Sequence, residues 1–191
     1  MKLCIYNDNK LGVVEGQELI DVSEALEAIP QTGWPRPPGD GFIANLDNVK
    51  LLVGTLRKWG FVQRHGSVKI RSPVANPTKV IGAPVNYKKH LEEAAADEAI
   101  NFGNKIKTID EYGLFLKQNV LVGPSEGVKL HFTDRRNDHE IELAMVIGRE
   151  AKNVSHDAAL NYVAGYSIGL DMTVRGPEDR SMRKGIDGYS V

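Results

Sequence analysis

Cysteine is almost missing: Cys4 is the only one in 191 residues, so no intrachain disulfide and no cysteine-based zinc site can form. Its place in the apolar run Leu3-Cys4-Ile5-Tyr6 reads as a small buried hydrophobe rather than a reactive thiol. Net charge is nearly absent too. The 24 basic and 25 acidic side chains leave -1, which gives no long-range field to recruit nucleic acid or an anionic membrane. No apolar run approaches membrane-spanning length, and no secretory signal pattern opens the chain. With nucleic acid and membrane set aside as partners, the expected setting is soluble and cytoplasmic. The chain is 41% hydrophobic and 26% charged, an ordinary globular composition. Its length admits one sizeable domain, or a small N-terminal module before a larger one.

Residues 2–6 and 12–14 run or alternate apolar around the turn-rich Asn7-Asp8-Asn9-Lys10, which predicts a hairpin or meander. Gly16-Gln17 turns into a further strand over 18–22, and Ser23 opens a short helix that Pro30 stops. The four prolines of residues 30–40 make a connector. Ile43, Leu46, Val49, Leu52, Val53, Leu56 and Trp59 fall at helical spacing. Val68–Ile70 and Lys79–Val85 read as strands, with the boundary of an N-terminal module (1–70) near residue 70. In the following part (71–191), Asn86 caps a helix running from Tyr87 to Ile100. Residues 101–113 show no period. Strands are expected at 114–116, 120–122, 128–130, 141–147 and 163–172, with a short helix at 157–162. Many strands and few helices predict an α+β protein that is mainly β.

The most informative stretch is Asp138-His139-Glu140-Ile141-Glu142-Leu143-Ala144-Met145-Val146-Ile147. As a strand it sends Ile141, Leu143, Met145 and Ile147 to one face, expected to be core, with His139 partly buried on the same side. Glu140 and Glu142 then stand side by side on the other face. Adjacent like charges repel unless water or a cation screens them. Either a divalent cation, which prefers carboxylate oxygens, or simple solvation resolves the conflict. Asp171 ends the apolar, glycine-dotted run 163–170, where it is a third ligand or a loop cap. His90 and Glu93 stand at i and i+3 on one helical face. Such a pair is an oriented general base or a surface ion pair.

Several segments in order resemble the fumarylacetoacetate hydrolase family: Ile81-Gly82-Ala83-Pro84-Val85-Asn86-Tyr87 leading to His90-x-x-Glu93; Leu114-Phe115-Leu116-Lys117 with Val122-Gly123-Pro124; His139-Glu140-Ile141-Glu142-Leu143-Ala144; Tyr162–Tyr166 leading to Leu170-Asp171-Met172-Thr173-Val174-Arg175; and Arg183-Lys184-x-x-Asp187. The resemblance implies a β-roll behind a small N-terminal α+β module, with the C-terminal part of the roll absent from this chain. It implies Glu140, Glu142 and Asp171 as ligands of Mg²⁺, Mn²⁺ or Ca²⁺, and His90 with Glu93 as the water-activating dyad. Arg175 and Lys184 become the cationic contacts of a 2-oxo acid substrate, and the segment around Gly103 a closing lid. The implied activity is metal-dependent hydrolysis of a C–C bond in a 2,4-dioxo acid by a homodimer. Hydration, decarboxylation or isomerisation of 2-hydroxydienoates on the same site, or ligand binding by a non-catalytic truncated relative, are the alternatives. The chain departs from the family's habit at Gly185, where a serine is common, and at Glu178, where a glutamine is common.

Overall fold

The computed structural model describes residues 1–97, 101 and 105–175. Gly103, Glu178, Lys184, Gly185 and Asp187 lie outside the described residues. Two compact units separate. One holds Met1–Thr78, Val120–Val128 and Leu143–Ser167; the other holds Lys79–Asn119, Lys129–Glu142 and the described residues from Ile168 on.

In the first unit, β1 (Leu3–Tyr6), β2 (Lys10–Glu15), β3 (Glu18–Asp21) and β4 (Val62–Arg64) form an antiparallel sheet in chain order. The β1–β2 turn depends on Asn7 and Asn9, whose φ values of 45° and 60° suit asparagine better than most side chains. This turn fixes the register from Leu3 opposite Val13 to Tyr6 opposite Lys10. Ile5, Leu11, Val13, Ile20 and Val22 therefore share one core with Ala25 of the 3-10 turn Ser23–Ala28. Val49 and Val53 complete it from α2 (Leu46–Leu56). Burial at Cys4 pushes its thiol up to about 11, which fits an inert packing role.

The single helix expected over 43–59 is broken and shorter. Asp40 caps α1 (Gly41–Ala44), accepting the N–H groups of Phe42 and Ile43 at 3.0 and 3.1 Å. Asn45 then interrupts before α2. The N–H groups of Trp59 and Gly60 both donate to the Leu56 carbonyl, closing α2 and leaving Trp59 in solvent. Only glycine fits at position 60, because a Cβ there would fall 2.2 Å from the Asp21 carbonyl oxygen. The strand expected at Val68–Ile70 is instead one isolated bridge from Ile70 to Tyr6, and β4 takes the sheet edge.

In the second unit, β5 (Val80–Gly82) pairs antiparallel with β6 (Phe115–Lys117). The helix α3 (Lys88–Ala96) starts later than expected, with Tyr87 rather than Asn86 at the cap position and no side-chain cap bond. A short helix, α4 (Ile109–Tyr112), lies in the stretch that showed no period. It is nucleated by a reciprocal capping box between Thr108 and Glu111. The stretches 120–122 and 128–130 are not strands.

The strands β7 (Asn137–Ile147) and β8 (Val163–Val174) form a two-stranded ribbon. It is closed at one end by Arg175 N–H donating to the Arg136 carbonyl at 2.8 Å and at the other by Gly148 N–H donating to the Tyr162 carbonyl at 2.9 Å. Alternation along β7 is as expected, and the face of Glu140, Glu142, Ala144 and Val146 is partly covered, but the apolar face is not core. Ile141, Leu143, Met145 and Ile147 are 69%, 63%, 57% and 52% exposed, and His139 is exposed with them. Asp138, Glu140, Glu142, Ala144 and Val146 are the half-buried set. A ribbon has no second layer of its own, and among the described residues nothing covers the apolar side. The architecture is α+β and mainly β, and no described helix is long and apolar enough to cross a membrane.

Candidate metal and acid–base site

The site lies within the second unit, where α3 and the start of β7 face one cleft of about 410 Å³. That is room for a small organic acid. Its walls carry Tyr87, Lys89, His90 and Glu93 from the α3 side, Arg136 just before β7, Asp138, Glu140, Ile141 and Glu142 from β7, and Arg175 beyond β8. Period-two spacing along β7 puts Asp138, Glu140 and Glu142 on one side of the strand.

Arg175 ties two of these acids together. Its Nε lies 2.9 Å from Asp138, and its Nη2 bonds Glu140. Arg136 grips Asp138 from the other side at 2.8 Å and reaches Asp97 at 3.0 Å, which raises its own pKa. Burial works against ionisation of Asp138, but the two guanidiniums outweigh it and hold the carboxyl below its ordinary value. Asp171 is ion-paired with Lys117 of β6, both side chains being largely buried. Among the described residues, Glu142 is paired with no lysine or arginine. Burial raises its pKa first, and the like charges of Asp171 and Glu140 add to that against a hydrogen bond from Tyr87 and the nearby His90. Glu140 and Asp171 are thus both near enough to Glu142 to act on its charge.

Carboxylate oxygens in this number suit a hard divalent cation, and the mutual repulsion at Glu142 is what such an ion would relieve. As the side chains stand, Arg175 and Lys117 hold Glu140 and Asp171. Among the described residues, no three acidic, histidine or cysteine side chains are gathered closely enough to hold an ion. His90 Nδ1 stands 4.0 Å from Glu93, an ion-pair distance rather than a hydrogen bond. Arg175 lines the cleft, while Lys184 lies outside the described residues.

Asp138, Arg136, Lys89 and Lys117 were not singled out from sequence. The first two were within reach, since 136, 138, 140 and 142 share one period-two face. The tie between Lys117 and Asp171 joins residues 54 apart, and no local pattern could reveal it.

Residues 79–191 match the family described as fumarylacetoacetate (FAA) hydrolase C-terminal. The chain is 52% identical over its full length to the maleylpyruvate hydrolase of Aquipseudomonas alcaligenes, covering 68% of that protein. It is 37% identical over 105 residues to a mitochondrial oxaloacetate tautomerase of Bos taurus, covering 53% of this chain and 42% of that one. Among solved structures, the maleylpyruvate hydrolase of Sphingobium sp. SYK-6 in complex with manganese(II) and pyruvate superposes with a TM-score of 0.71 at 29% identity, over 99% of this chain and 64% of that one. The chain therefore spans about two thirds of the maleylpyruvate hydrolases it resembles and less than half of the tautomerase. The chain belongs to the fumarylacetoacetate hydrolase family.

Proposed function

We propose that this chain carries the acid–base and metal-binding part of a divalent-metal-dependent hydrolase that cleaves a C–C bond of a 2,4-dioxo acid of the acylpyruvate type. The observation that carries the proposal is the meeting of Glu140 and Glu142 with a histidine–glutamate pair around one cleft, with Asp171 close enough to raise the pKa of Glu142. Support comes also from the 52% identity to a maleylpyruvate hydrolase, and from the manganese and pyruvate held by the Sphingobium relative. Glu140, Glu142 and Asp171 would hold the cation, Glu140 and Asp171 exchanging Arg175 and Lys117 for it. Magnesium or manganese as the ion, a homodimer as the assembled form and the cytoplasm as the compartment rest on family resemblance.

When bound, the cation supplies Lewis-acid stabilisation of negative charge on the oxygens of the 2-oxo acid. The chain's own residues do the rest. His90, oriented by Glu93, takes a proton from water, whose oxygen adds to the C4 carbonyl. The C3–C4 bond breaks, and its electron pair passes to the pyruvate half as an enolate. That enolate is protonated at C3, so one water and one dioxo acid give pyruvate and a carboxylic acid. Arg175, freed from Glu140, and Lys184 meet the negative charge of the 2-oxo acid end.

The test is release of pyruvate from an acylpyruvate by the Mn²⁺-loaded chain, followed with a coupled dehydrogenase. His90→Ala should lower kcat by about 10²–10⁴-fold, the usual worth of a general base, and leave Mn²⁺ affinity unchanged. A variant as fast as the parent, or a parent that releases no pyruvate, overturns the proposal. Enol–keto exchange of oxaloacetate without pyruvate release would point to the tautomerase chemistry named for the Bos taurus relative.

A further inference from the structure

The charged groups lining the cleft are nearly all engaged within the protein. Arg175 holds Asp138 and Glu140, Arg136 holds Asp138 and Asp97, His90 faces Glu93, and Glu142 accepts from Tyr87. Lys89 is the exception: it lines the cleft but makes no ion pair or hydrogen bond among the described residues. Its neighbour Lys88 does not line the cleft, so this is not a property of the basic pair as a whole.

Position adds to charge. Lys89 is adjacent to His90 in the first turn of α3 and lines the same cleft as the acids of β7. A 2,4-dioxo acid whose 2-oxo acid end lies at Glu140, Glu142 and Arg175 presents C4 to His90. Whatever C4 carries must then extend along the α3 side. An ammonium on a flexible stem, beside the attacked carbon and paired with no carboxylate among the described residues, is complementary to an anionic tail. A neutral tail would gain nothing from it.

We infer that Lys89 binds the second carboxylate of a dianionic substrate, so that the site selects dioxo acids whose acyl chain ends in a carboxylate over those with a neutral chain. The assignment rests on the hydrolase chemistry proposed above for the location of C4. Its test is a binding measurement that needs no turnover.

Two unreactive probes of matched length, 2-oxoadipate and 2-oxohexanoate, are titrated calorimetrically into the Mn²⁺-loaded full chain. The parent should bind 2-oxoadipate more tightly. Lys89→Met should weaken 2-oxoadipate about three- to fivefold, the upper range of an exposed ion pair, and leave 2-oxohexanoate unchanged. Lys89→Arg should restore the preference, and Lys88→Met should leave it intact. In turnover, the loss should appear in KM for maleylpyruvate, with kcat kept and acetylpyruvate unaffected. Equal binding of the two probes by the parent, or equal weakening of both in Lys89→Met, overturns the inference even where pyruvate is released. A preference that vanishes with Lys89 while no pyruvate is ever released sustains Lys89 as a carboxylate site and sinks the hydrolase proposal instead.

Discussion

Replacing Arg175 with methionine should destabilise the metal-free protein and enlarge its response to metal. The guanidinium makes two charge-assisted contacts, to Asp138 at 2.9 Å and to Glu140. Breaking a fully buried ion pair costs about 3–5 kcal/mol, whereas an exposed pair is worth about 0–1 kcal/mol. Here Arg175, Asp138 and Glu140 keep 19%, 21% and 26% of their side-chain exposure, close to the buried limit without reaching it. Asp138 retains Arg136 at 2.8 Å, so only Glu140 is stranded. The loss is therefore about 2–3 kcal/mol, or roughly 4–12 °C in Tm for a chain of this size. The assay is thermal unfolding by circular dichroism, in chelator and again in Mn²⁺. In chelator the variant should melt lower by that amount. Mn²⁺ should then raise its Tm by more than it raises the parent's, because Glu140 no longer has a cation to give up. Arg136→Met is the control, since its side chain is 49% exposed and should move Tm far less. A variant that melts within a degree of the parent in chelator, or that gains no more from Mn²⁺, refutes this account of how the acids are held.

Two further outcomes follow from the first unit. Ser23 donates to Asp21 at 2.5 Å and its N–H donates to the same oxygen at 2.9 Å; these bonds, with Tyr6 and Lys10, outweigh burial and hold Asp21 below its ordinary value of 3.8. A depressed folded value means stability that is present above 3.8 and lost as pH falls through the folded pKa. Ser23→Ala should cost about 1 kcal/mol near neutrality and move the onset of acid unfolding to higher pH, both read by urea titration at several pH values. Gly60→Ala should cost about 1–3 kcal/mol through overpacking, since its Cβ would meet a backbone oxygen that cannot swing aside; an unchanged midpoint in urea would contradict the close approach.

Local patterns carried much of the fold. The meander was legible because alternation and the asparagine turn fix its register, and β7 was legible from its period of two. The buried side of β7 was not legible, because burial depends on which layer lies against a strand, and alternation carries no information about that. The apolar residues were therefore assigned inward when they face solvent. Helix starts were uncertain for a similar reason: Asn86 has the better capping side chain, yet the chain turns helical only after Tyr87. The capping box at Thr108 and Glu111 was readable as Thr-x-x-Glu, but lies in a stretch without apolar period. At the site, Glu140, Glu142, His90 and Glu93 stood out by spacing. Arg175 entered through the family resemblance as a substrate contact, but its hold on Glu140, like that of Lys117 on Asp171, emerges only when distant strands are brought together.

The proposed catalysis depends on Glu140, Glu142 and Asp171 sharing one doubly charged ion. Titrating the full chain with Mn²⁺ while following the electron paramagnetic resonance of the free ion tests this most directly. One ion per chain should leave the free signal, and Glu142→Ala should abolish that uptake. A parent that takes up no Mn²⁺, or a Glu142→Ala variant that takes it up as tightly as the parent, would contradict the claim.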